Sequence, residues 1–149
     1  MAEIRRDAED GSADPRVTAA LADYAAGTGA PTWVLAVLAQ SRLLVPVVAV
    51  LDEVDRSARG IRTEKSAHMA TVSTTGLDGR RGLLAFTSLE TLRRWQPDAR
   101  PVPAPAPAIA AAAVEDGAEA VVVDIAGPVL FAIEGRDLQS LAAGWTASA

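Results

Sequence analysis

The nine residues Leu43 to Leu51, LLVPVVAVL, restrict the fold more than any other part of the chain. They are apolar throughout and rich in β-branched side chains. A strand with one wet face alternates apolar and polar residues, and this run does not, so both of its faces must be covered. That places it centrally in a sheet carrying further layers. Pro46 pulls the other way, because proline donates nothing to a ladder and favours an edge or a bulge. Taken with the residues before it, Ala30 to Leu51 is long enough to span a membrane. Gln40, Ser41 and Arg42 interrupt it at the centre, however, where a charged residue costs about 3 kcal/mol. Two elements separated at Gln-Ser-Arg fit better: a helix opened by Pro31, with Trp33, Val34 and Val37 facing inward, and then the strand.

The remaining punctuation divides the chain into short elements. Residues 1–15 are polar and carry both charges, the composition of a disordered tail. Val17, Ala20, Leu21 and Tyr24 recur at helical spacing, and Gly27-Thr28-Gly29 ends that helix. Asp52 to Ala67 reads as a polar loop. Met69 to Thr75 and Gly82 to Phe86 are strand-like runs around Gly76-Leu77-Asp78-Gly79, the signature of a hairpin. Thr87 and Glu90 form a T-x-x-E capping box, after which Leu89, Leu92 and Trp95 make an apolar stripe that Pro97 stops. Arg100 to Pro103 is extended. An alanine-rich helix then ends at Gly117, and strands at Ala120–Ile125 and Val129–Ile133 flank a Gly127-Pro128 turn. A last helix carries Leu138 and Leu141. Together these elements make one α+β domain over residues 16–145, a mixed and mostly antiparallel sheet of five to six strands with helices packed on it.

Composition narrows the function classes. The net charge is −5 with a pI near 4.8, and the arginine pairs at 5–6, 80–81 and 93–94 are isolated among acids, so nucleic acid is not an expected partner. Cysteine is absent, which removes disulfide and thiolate chemistry. The N-terminus has no apolar stretch of the kind a secretory signal needs, and a cytoplasmic protein without a membrane span is expected. Neither glycine-rich phosphate loop occurs. His68 is the single histidine, and no G-x-S-x-G elbow accompanies it, so no catalytic residue is assigned. Asp52, Glu53 and Asp55 follow the apolar strand, where α/β proteins often build sites. With His68 they form a candidate ligand or metal loop, although Arg56, Arg59, Arg62 and Lys65 give it the mixed charge of a solvated segment. Arg93, Arg94 and Trp95 are the candidate interaction surface, since Trp and Arg concentrate at contact hot spots. The alternative is that Trp95 simply closes the core behind its helix.

Three segments in this order, LLVPVVAVL, then HMATVSTTGLDGRRGLLAFTSLETLRRW, then RPVP, resemble the SseB-like family, the enhanced serine sensitivity proteins, in their single-domain actinobacterial form. The resemblance covers about Pro31 to Ala143 and is most specific at Ala85 to Ser88, AFTS, with the tryptophan seven residues after that serine. It implies a fold and transfers no catalytic or binding residue.

Two readings follow. One is a non-catalytic interaction or regulatory module with a protein partner and no cofactor, with an exposed strand edge leaving room for a homodimer. The other is a small-molecule or metal-binding protein, or an enzyme, using the acidic loop.

Overall fold

In a computed structural model, residues 11–51 and 67–148 are described. Helix α1 (Pro15–Ala26) starts where Asp14 accepts the Arg16 N–H at 2.9 Å, with Pro15 in the first turn. It ends at Gly27, whose φ of 81° is open to glycine at little cost. Val17, Ala20 and Leu21 are buried, as their spacing predicts, and Tyr24 meets Phe131 edge-on at 5.1 Å. Of the expected tail, residues 1–10 lie outside the described residues. Gly11 accepts the Leu89 N–H through its carbonyl at 2.7 Å, and the Asp14 cap is buried.

Helix α2 (Pro31–Leu38) buries Val34, Val37 and Leu38, whereas Trp33 is 58% exposed and not inward-facing as the sequence suggests. At 100° per residue the buried arc centres near Val34, which leaves Trp33 about a quarter-turn from that centre and outside the arc.

Seven strands follow among the described residues, in two sheets rather than one of five or six. Strands β1 (Arg42–Leu51), β2 (Ala67–Thr71) and β5 (Arg100–Pro105) form an antiparallel sheet in the order β2-β1-β5. Strands β3 (Ser73–Thr75), β4 (Arg81–Ala85), β6 (Ala120–Val123) and β7 (Phe131–Glu134) form the other, in the order β3-β4-β6-β7. Only the β4–β6 pair is parallel, so the expectation of a mixed, mostly antiparallel arrangement holds. The sheets meet where Leu44 and Phe86 exchange two backbone hydrogen bonds of 2.8 Å.

This junction explains Pro46. Leu44 turns its N–H and C=O toward Phe86, away from β5, and further along the same edge β2 takes over, from Val47↔Thr71 onward. Pro46 occupies the changeover, where a missing N–H leaves no ladder bond broken. It faces Pro101, and Pro103 and Pro105 keep the same parity opposite Leu44 and Arg42. Since Leu44 bonds away from β5, the nitrogens of Pro101, Pro103 and Pro105 point to the outer edge, which therefore lacks donors at those positions and resists pairing with another chain.

The predicted hairpin is present as β3–β4, with Ser73 opposite Leu83, Thr75 opposite Arg81, and Gly79 at φ 85° in the turn. The earlier half of the predicted strand instead pairs with β1, and the Val72 carbonyl accepts the Leu84 N–H at 3.0 Å where the chain passes between sheets.

Layers cover both faces of the central strands. On one side, α1, α2, α4 (Ala106–Glu115) and α5 (Gly135–Ser148) enclose Leu38, Leu43, Val45, Ile109, Val121 and Ile133. On the other, α3 (Leu89–Trp95) covers Leu44, Leu84 and Phe86 with Leu92. Burying a leucine as completely as Leu92 stabilises by roughly 2–3 kcal/mol. The cap of α3 differs from expectation: Ser88, not Thr87, is the N-cap, and it exchanges hydrogen bonds with Thr91. No helix among the described residues is long and apolar enough to cross a membrane.

Candidate functional site

Because β4 and β6 run parallel, their C-terminal ends emerge at one edge, beyond the last pair, Ala85↔Val123. Such an edge gathers loop residues from separate parts of the chain. Here it brings together Thr87 and Asp124, 37 positions apart. The Asp124 N–H donates to the Ala85 carbonyl at 3.0 Å, and its carbonyl accepts from Gly127 at 2.9 Å. Between those bonds Asp124 adopts φ 54°, the single positive φ outside glycine among the described residues. Aspartate tolerates this left-handed conformation better than most side chains.

The Asp124 side chain turns inward and is 2% exposed. Its Oδ1 accepts the Thr87 N–H at 2.9 Å and its Oδ2 accepts the Thr87 hydroxyl at 2.7 Å. Thr87 is thereby committed to the carboxylate, so the cap of α3 falls to Ser88. Burial raises the Asp124 pKa from its ordinary value, against the opposing pull of the Thr87 N–H, the Thr87 and Thr91 hydroxyls and the Arg94 charge. Among the described residues no arginine, lysine or histidine stands within ion-pair distance of it.

Asp124 borders a cavity of about 400 Å³, within the size range of small-molecule sites. Leu21 and Ala22 of α1 and Val129 beyond β6 supply much of its apolar wall, while Thr91 and Arg94 enter from α3. Arg94 lies 3.5 Å from Glu90 one turn earlier, an exposed i,i+4 pair at the rim.

The residues singled out from the sequence separate here. Arg94 joins the cavity, and Arg93 is exposed without lining it. Trp95 is half-buried with its ring 5.6 Å from that of Phe86, so it does pack onto the core. Asp52, Glu53 and Asp55 lie outside the described residues. His68 sits in β2 opposite Val50. Among the described residues no three His, Cys, Asp or Glu side chains gather as a metal site would require. Sequence reasoning passed over Asp124 by running it into the strand Ala120–Ile125. The usable signal was an acid directly after the apolar AVVV and shortly before Gly127-Pro128.

No curated protein and no solved structure matches the chain. The family model described as the SseB protein N-terminal domain matches residues 17–140, from the first turn of α1 into α5, and the chain therefore belongs to the SseB N-terminal domain family.

Proposed function

We propose that this SseB-family domain is a non-catalytic binding module of the cytoplasm, with a regulatory role exerted through a small ligand held beside Asp124. The observation that carries the reading is the cavity itself: apolar walls converging on one buried carboxylate that the backbone holds in place. Both carboxylate oxygens already accept from Thr87, an arrangement that favours fixed recognition over a side chain that must swing and shuttle protons. A protein partner is best sought on α3. There Arg93 and Arg94 are exposed beside the partly exposed Trp95, and Arg94 belongs to both the surface and the cavity rim, so occupancy could be sensed from outside.

The test is to purify the protein from its native lysate without denaturation and to analyse by mass spectrometry the small molecules it releases. Ala22→Trp, at an exposed position of the cavity wall, serves as the blocked control. A compound retained by wild type and missing from the control is the expected result. Identical small-molecule profiles from two folded proteins would refute a ligand cavity. In a parallel pull-down, loss of a protein partner from Arg93→Ala/Arg94→Ala at matched thermal stability would place that partner on α3.

A further inference from the structure

The charges around the cavity do not balance at its buried member, Asp124. Three charged side chains line it: Glu90, Arg94 and Asp124. Arg94 and Glu90 face each other at 3.5 Å with side-chain exposures of 47% and 77%, so they largely satisfy one another in solvent. Asp124 accepts hydrogen bonds from the neutral Thr87, and Arg94 acts on its charge only from beyond ion-pair distance, as the smallest of the influences that favour ionisation. Fixed donors of this kind orient a carboxylate but do not cancel its charge in a poorly solvated place. A carboxylate offers about four acceptor sites, and Thr87 uses one on each oxygen.

We infer that the cavity binds an organic cation: a primary ammonium on an aliphatic body, with the ammonium against Asp124 and the body along Leu21, Ala22 and Val129. The inference rests on the ligand-cavity reading and adds the chemistry of the ligand. An ammonium brings three donors and one positive charge to a carboxylate whose desolvation the fold has already imposed, so binding compensates a charge that Arg94 offsets only from a distance. A divalent metal fits poorly, because calcium requires six or more oxygen ligands and magnesium a rigid octahedron, and of the two lining carboxylates the exposed Glu90 is paired with Arg94, which leaves Asp124 among hydroxyls. An anion would meet Asp124 while the Arg94 guanidinium is engaged with Glu90. Among the described residues no aromatic ring lines the cavity, which does not offer the cation–π cage that receives quaternary ammonium groups. The recognised head therefore carries N–H donors.

Four probes of one chain length separate these chemistries: hexylamine, trimethylhexylammonium, 1-hexanol and hexanoate. Each is titrated by calorimetry and by amide NMR, with the Thr87 N–H as local reporter because it donates to Asp124. Hexylamine is expected to bind saturably and to shift the Thr87 resonance. Its affinity should fall about tenfold or more in Asp124→Asn, as loss of one charge interaction implies, and vanish in Ala22→Trp. The trimethylated probe should bind about tenfold more weakly than the primary amine. Hexanol or hexanoate binding as tightly as hexylamine, or hexylamine indifferent to Asp124→Asn, overturns the ammonium assignment while a ligand cavity stands. No saturable binding by any probe, together with no small molecule co-purifying, overturns both. Should Asp124→Asn fail to fold, the wild-type Thr87 shift decides: hexylamine that binds without moving it overturns the assignment.

Discussion

Replacing Asp124 in three ways separates its side-chain role from its backbone role. Alanine removes both acceptors of the Thr87 bonds, at 2.9 and 2.7 Å, and hydrogen bonds to a charged group contribute about 1.5–3 kcal/mol each. The Thr87 hydroxyl can rotate to another acceptor, so the lasting loss is the N–H of a residue only 7% exposed. Alanine must also hold φ 54°, at about 1–2 kcal/mol. Relief of carboxylate desolvation offsets part of this, which leaves Asp124→Ala less stable by about 3 kcal/mol. Glycine relaxes the backbone and still loses the bonds, for about 2 kcal/mol. Asparagine keeps an acceptor and tolerates the left-handed region, for about 1 kcal/mol or less. In a chain of this length each kcal/mol moves Tm by roughly 3 °C, so Asp124→Ala should melt about 9 °C below wild type. Urea unfolding followed by circular dichroism at neutral pH, with equal slopes required across the series, measures the order Asn, Gly, Ala directly. Alanine as stable as asparagine would refute the account of Asp124 as the lock of this edge.

Other consequences are independent of that series. The pKa of Asp124 is raised on folding, so its contribution to stability is fullest below the ordinary carboxylate pKa and is lost as pH rises through the raised value. Wild type should therefore lose ground to Asp124→Asn in urea midpoints measured from about pH 4 upward, and a gap moving the other way would show the sign to be wrong. Leu92→Ala, at a site with 0% exposure, should cost about 3 kcal/mol, and a change below 1 kcal/mol would mean that α3 does not seal the second core. Gly82→Ala places a Cβ 2.8 Å from Val122 Cγ2 across the parallel pair and should cost about 1–3 kcal/mol in thermal melts. Arg80→Ala loses three carboxylates, Asp78, Glu119 and Glu134, yet all four side chains are more than half exposed, so the loss should stay within about 1 kcal/mol and shrink in high salt.

Local chemistry alone determined a good part of this protein. The unbroken apolar run at Leu43–Leu51 required two covering layers, and Leu43, Leu44 and Val45 received them on alternate faces. Pro15 and Pro31 opened helices, Gly27 closed one, and the turn at Gly76 to Gly79 joined a hairpin, because proline and glycine act through their own φ and need no distant partner. Tertiary structure decided the rest, and for one reason: the pairing of β4 with β6 brings together residues that no short-range period connects. It drew Thr87 off the cap of α3 to Asp124, and with that it made a cavity bordered by a buried acid that the sequence pattern runs into a strand. Tertiary packing likewise set which arc of α2 was buried and left Trp33 outside it. The division into two sheets came from the exchange of partners beside Pro46, where the proline itself was visible in the sequence and the strand that would meet it was not.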